Sequence, residues 1–350
     1  MAPPQASRKQ ALRKTIAARD QPAARHEYGA YNGFPPERQE EFGEREIWRV
    51  KFGVRHTGKP PPPPRRDSLW RPLAIPVAGR YSRVMLPSRY WIDLATTDFR
   101  ARDVSGAIAV LPVAAVEQHG PHLPLGVDAM IMQGAIERVV ERLPDDLDAL
   151  FLPIQSVGVS IEHRDFPGTL SLSHETALRV LTEIADGVVR TGVRKLVLLN
   201  SHGGNSPLVS QAALELRARH GVLAVTCSWS RFGYPDGLFC ETELRHGIHG
   251  GEIETSLMLA FRPELVDMTR ARDFKPASLE FERDFTWLRA DRPAGFGWMA
   301  QDLSAAGAMG DASRASADKG EAAADYWATA FIELLRDVEA FDLARLAARD

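Results

Sequence analysis

Residues 107–142 read AIAVLPVAAVEQHGPHLPLGVDAMIMQGAIERVVER, a strand signal, a loop dense in polar groups and a helix signal in that order. AIAVLPV, at 107–113, is short, apolar and partly β-branched, which predicts a buried strand. From Ala129 to Arg142 the apolar residues Met130, Ile131, Ala135, Ile136 and Val139 recur at helical spacing. Glu137, Arg138 and Glu141 are left to face water, so an amphipathic helix is expected to start near Asp128. The same order recurs downstream. ALFLPIQSVGVS (149–160) predicts a strand, and Ser173 can cap a helix through Glu175 to Val189. KLVLLN (195–200) and VLAVTC (222–227) predict two more strands around a helix from Leu208 to Arg219, and a last helix is expected from Lys319 to Val338. Strands alternating with helices imply an α/β fold with a parallel or mostly parallel sheet covered on both faces. In such folds ligands gather beyond the carboxyl ends of the strands, where the polar loops fall.

Three of those loops concentrate His and carboxylate groups. In EQHGPHLPLGVD (117–128), an extended backbone would turn Glu117 and His119 to the same side, and Asp128 returns a carboxylate able to bridge two cations. In NSHGGN (200–205), Asn200, His202 and Asn205 follow a strand, with glycines that allow close backbone approach to an ion or substrate. HGIHGGEIE (246–254) adds His246, His249, Glu252 and Glu254, and one of its two glutamates is expected to point inward. Mixed N and O donors suit Zn or Mn, with Fe a further candidate, and two such ions could share a bridging carboxylate and activate a water. A nucleophilic serine is less economical because no Gly-x-Ser-x-Gly elbow occurs, and dinucleotide and P-loop fingerprints are missing as well.

Composition narrows the class further. With 43 basic and 46 acidic residues and a net charge of -3, there is no basic excess to hold nucleic acid. No apolar run reaches the ~18 residues that would span a bilayer, and Cys227 and Cys240 form no Cys-x-x-Cys pair. A soluble cytoplasmic protein is expected. The acidic residues that soon follow weigh against reading the basic N-terminus as a transit peptide. Residues 1–80 read as an N-terminal extension containing the spacer Pro60 to Pro64, and residues 81–350 as a single catalytic domain. Two readings of the extension stay open: a disordered tail, or a segment held to the body or a neighbouring subunit by Tyr28, Tyr31, Phe34 and Trp48.

The motifs EQHGPHLPLGVD, GVSIEHRDFPGTLSLS, NSHGGN and HGGEIETS, with GDASRASADKG as a weaker last piece, resemble the creatininase (creatinine amidohydrolase) family from about LPSRYWIDL at 86–94 onward. The resemblance implies a three-layer α/β/α sandwich with a mainly parallel sheet, assembled as a homohexamer. It also implies two divalent metal ions per subunit, with Glu117, Asp128 and His202 at one and His119, the shared Asp128 and Glu254 at the other. His249 would act as acid/base or carbonyl-polarising group, and Glu252 and His163 are the further catalytic candidates. Glu162 and His163 would form the rim of the active site, and His122 and His246 are read as structural. Creatininase proper has a Tyr-Glu pair within its NGHYEN motif where this chain has Gly203 and Gly204. That departure moves the second-metal assignment to Glu254 and points away from creatinine. It favours the broader group that includes formamide deformylases of pyrimidine intermediates and the peptidase that trims the mycofactocin precursor. In SWSRFGYPDGLF (228–239), Trp229 is a candidate pocket wall and Arg231 a candidate anion contact, with loop packing and a solvated arginine as the alternatives. The expected activity is hydrolysis of a C–N bond in a small cyclic amide or formamide. A peptidase acting on a modified peptide and a non-catalytic binding protein are the rivals.

Overall fold

In β1 (Ile108–Val113) every residue is buried, and successive side chains enter opposite cores. Ile108 and Val110 join one cluster, while Ala109, Leu111 and Val113 join the other, which is the two-residue period of a strand covered on both faces. The computed structural model describes residues 86–346. The readings of the extension and its polyproline spacer lie outside the described residues.

In chain order the elements are α1 (Thr96–Arg100), β1, α2 (Val127–Arg142), β2 (Ala149–Phe151), α3 (His174–Arg190), β3 (Lys195–Asn200), α4 (Ser206–His220) and β4 (Leu223–Ser228). There follow α5 (Glu241–His246), α6 (Glu252–Phe261), β5 (Asp273–Phe274), α7 (Ser278–Asp284), α8 (Ala300–Leu303), β6 (Gly310–Asp311) and α9 (Ala317–Ala340). The main sheet has the order β2-β1-β3-β4 and all its pairings are parallel. β1 and β3 are in register from Ile108 opposite Lys195 to Val113 opposite Asn200. Ser173 caps α3 by accepting from the Thr176 amide at 3.2 Å, and α4 ends at Gly221 in the left-handed region (φ 68°).

Helices cover both faces. Ile131, Ala135 and Val139 of α2, Leu257 and Met258 of α6, and Trp327, Phe331 and Leu335 of α9 pack on the side of Ile108 and Val110. Leu181, Ala185 and Val188 of α3, with Leu208, Ala212 and Leu216 of α4, pack on the side of Ala109 and Leu111. The result is a three-layer α/β/α sandwich.

Strand order also fixes where a site can form. From β1 the chain passes through α2 to β2 on one side, and from β3 it passes through α4 to β4 on the other. Connections that leave in opposite directions open a crevice beyond the carboxyl ends of β1 and β3, and the loops 114–126 and 201–205 both begin there.

Candidate metal centre

Three histidines at this crevice each have one nitrogen committed to a backbone carbonyl. His119 Nδ1–H donates to Glu117 O (3.0 Å), His202 Nε2–H to Val159 O (2.9 Å) and His249 Nε2–H to Gln118 O (2.5 Å). A carbonyl only accepts, so the opposite nitrogen of each neutral ring carries the lone pair. Those nitrogens face carboxylates: His202 Nδ1 lies 3.1 Å and His249 Nδ1 3.6 Å from Glu117 Oε1, and His119 Nε2 lies 3.7 Å from both Asp128 Oδ2 and Glu254 Oε2. Donor atoms gather within 4.8 Å of one another in three groups: Glu117 with Asp128 and His202, His119 with Asp128 and Glu254, and Glu117 with His119 and His249.

The electrostatics of the cluster favour a cation. Burial raises the Asp128 carboxyl well above its ordinary pKa, and the adjacent Glu117 raises it further. Burial likewise raises Glu254. Burial alone would also raise Glu117, but the imidazoles of His202, His249 and His163 outweigh it and hold that carboxyl below the usual range. His202 shows the field from the other side: burial disfavours its charged form, yet Glu117, Asp128 and Glu162 lift its pKa to about 10. Both Glu117 carboxylate oxygens, Asp128 Oδ2 and His119 Nε2 are buried without a hydrogen-bond partner among the described residues. Leaving such atoms unpaired costs ~1–3 kcal/mol each, more for charged groups. A site with lone pairs aimed inward and outer nitrogens fixed on carbonyls fits divalent metal ions.

The loops are built to hold these groups. Asn200 and Asn205 knit backbone: Asn200 Nδ2 donates to His202 O (2.6 Å), and Asn205 receives the Val159 amide (2.9 Å) while donating to Ala114 O (3.0 Å). Glu254 Oε2 accepts from the Gly250 amide (2.5 Å), and Gly250 has φ 61°, a conformation suited to glycine. The segment after α8 packs against the site, because His249 and Met309 form a backbone bridge and Gly307 O accepts from Gln118 Nε2 at 3.1 Å.

Gln118 itself went unnoticed in the sequence, although it lies inside EQHG. Its Oε1 accepts the Gly120 amide (2.9 Å), which orients the amide so that Nε2–H donates to His163 Nδ1 (2.7 Å). His163 therefore carries its proton on Nε2, the nitrogen 3.5 Å from Glu117 Oε1. The ring of His249 stacks between His119 (centroids 4.0 Å apart) and His163 (4.2 Å). Burial pushes His163 down to about 3 and His249 down to about 4, so both are neutral at pH 7.

Other sequence candidates fall elsewhere. Glu252 is buried, but it sits ~200° around α6 from Glu254, pairs with Lys319 and lies 3.9 Å from Arg314. Trp229 is in the core instead of a pocket wall: it stacks on Trp327 at 5.7 Å and donates to Met132 Sδ. A large aromatic ring at a strand end is drawn to the nearest apolar layer. Arg231 is exposed at the turn after β4. Glu162, on the short turn with His163, approaches His202 Nε2 to 3.5 Å. His122 hydrogen-bonds Thr255 (2.9 Å) and His246 hydrogen-bonds Ser278 (3.0 Å), both away from the cluster.

A parallel α/β sandwich with a buried carboxylate–imidazole cluster at its switch point has the donor groups that could hold metal ions. The family model for creatininase (creatinine amidohydrolase) matches residues 93–335, and the chain belongs to that family. It is 33% identical over 246 residues to the creatinine amidohydrolase of Pseudomonas putida, covering 65% of this chain and 89% of that protein. To the mycofactocin precursor peptide peptidase of Mycolicibacterium smegmatis it is 32% identical over 173 residues, 49% of this chain and 64% of the relative. Solved creatininase structures superpose on it. A manganese form has TM-score 0.58 at 29% identity and a zinc–zinc form of a mutant has TM-score 0.57 at 31%, each covering 71% of this chain and 98% of its own.

Proposed function

We propose that this protein is a divalent-metal-dependent amidohydrolase that cleaves the C–N bond of a small cyclic amide or a formamide. The observation that carries this reading is the convergence of the buried Glu117, Asp128 and His119 atoms that have no hydrogen-bond partner among the described residues. Glu117, Asp128 and His202 would hold one ion and His119, Asp128 and Glu254 the other, with Asp128 shared. Such ions, Zn or Mn with Fe a further candidate, would supply Lewis-acid charge and a water of lowered pKa. His249 presents its unprotonated Nδ1 to the centre and keeps Nε2–H on Gln118 O. It can take the proton released by the attacking water and return it to the departing amine nitrogen. His163, with its proton on Nε2, serves as a hydrogen-bond donor on the same side.

Metal analysis of protein purified without chelator tests this, followed by a screen of amides and formamides on the same sample. About two ions per subunit are expected, removed together with turnover by chelation and restored by adding metal. Asp128→Ala should lose metal. His249→Ala should lose turnover and keep it, whereas loss of an ion in that variant would assign His249 to the coordination sphere with Glu117 and His119. Absence of tightly held metal, with no gain on adding Zn or Mn, would sink the proposal. The similarity to a peptide peptidase favours a second reading, hydrolysis of a modified peptide, which is recognised by release of amino acids or short peptides.

A further inference from the structure

A cleft of about 420 Å³ borders the centre, with Gln118, Leu125, Phe166, Pro167, Ala306 and Arg272 among its lining residues. Gln118 is its one buried lining residue and also the side chain that hydrogen-bonds His163 and Gly307 O, so the cleft reaches the inner wall of the site. Most of the lining is apolar. The exception at the surface is Arg272, which has no ion pair or hydrogen bond to another described residue. Its neighbour Asp273 pairs with Lys275 at 3.7 Å, and Asp267 with Arg270 at 3.0 Å. Arg272 is nevertheless held in place, its guanidinium lying 5.1 Å from the centroid of the buried Phe274 ring. That ring in turn stacks on His122, which hydrogen-bonds Thr255 of α6. A second cleft of the same volume, along α9, makes the contrast: its arginine, Arg142, is already paired with Asp325 at 2.5 Å.

We infer that the substrate carries an anionic group, a carboxylate, that Arg272 receives while an apolar portion lies along Leu125, Phe166 and Pro167. This rests on the amidohydrolase reading and narrows its substrate class to N-acyl or N-formyl compounds bearing an acid. An aromatic-backed guanidinium presents a planar fork matched to a carboxylate, and Gln118 links its cleft to the imidazoles beside the scissile bond.

Calorimetric titration of the metal-loaded, full-length protein tests the inference with two probes. N-formyl-L-phenylalanine has the acid, and N-formylphenethylamine has the same ring and formamide without it. The acid is expected to bind about tenfold tighter, as one charge-assisted contact allows. Arg272→Ala should erase that preference, Arg272→Lys should keep part of it, and all three proteins should bind the neutral probe alike. Equal affinities, a preference that survives Arg272→Ala, or no binding of either probe overturns the inference. Hydrolysis on the same samples separates the two levels. An Arg272-dependent preference in binding without turnover of any amide would overturn the amidohydrolase reading alone. Turnover of both probes with equal kcat/KM would overturn the carboxylate subsite alone.

Discussion

A methyl group on Gly203 would meet nothing within 4 Å, whereas one on Gly204 would lie 2.4 Å from Glu162 Oε1, 2.5 Å from His202 Nε2 and 2.8 Å from Val159 O. The last two atoms make the hydrogen bond that orients His202. Glu162 can swing aside, but a ring and a main-chain carbonyl cannot both retreat without turning His202 Nδ1 off the centre. Gly204→Ala is therefore expected to weaken metal binding by about 10- to 100-fold, the usual cost of disturbing a ligand's outer partner, while Gly203→Ala leaves it unchanged. Competition with a chromophoric chelator measures both, and equal behaviour of the two variants would refute the argument. The two cysteines make a second pair. Burial pushes the Cys227 thiol up to about 12, with Arg231 pulling the other way, while Cys240 is exposed. Mass spectrometry after brief alkylation of the native protein at pH 8 should find the label on Cys240 and none on Cys227; labelling of Cys227 would mean that β4 opens.

Glu252 and Lys319 tie the first turns of α6 and α9 together, with Glu252 almost fully buried. Removing the lysine strands that carboxylate, at a cost on the order of 3 kcal/mol. Lys319→Met is expected to lower the melting temperature, and Glu252→Gln added to it should recover part of the loss, with metal content unchanged throughout. Loss of metal in these variants would place Glu252 in the chemistry after all. The elements were legible where one physical signal dominates. KLVLLN spans β3 from first residue to last, and α4 runs one residue past its expected end and begins two residues before its expected start, where Pro207 is tolerated because the first turn's amides need no intrahelical partner. In the candidate metal centre, Glu117, His119, Asp128 and His202 stand out because acids and imidazoles cluster after strands. Gln118 does not, since its part depends on Gly307 and His163, which only the folded chain brings near. Nor could the EIE pattern alone tell Glu254 from Glu252, because the choice depends on the rotation of a helix whose start it does not fix. Trp229 shows the same limit: an aromatic loop residue can line a pocket or fill a core, and the decision lies with α9.

Among the described residues, 86–346, lie two hydrophobic cores and the candidate metal-ligating groups. No helix among the described residues is long and apolar enough to cross a membrane. The division of the chain at residue 81 predicts that a chain starting there folds, holds metal and keeps the full-length protein's number of subunits, read by metal analysis and by light scattering against the shortened subunit mass. Fewer subunits per assembly would assign the extension to a subunit contact, and failure to fold would overturn the single-domain division. The histidines that face the centre are steadied by carbonyls of residues 117, 118 and 159, atoms that every amino acid brings. A replacement elsewhere can crowd such a brace, as at Gly204, but cannot remove its acceptor atom, so the reactive geometry is inherited with the path of the main chain. Substrate preference, written in rim side chains such as Arg272, is then free to drift from one descendant to the next while the chemistry stays put.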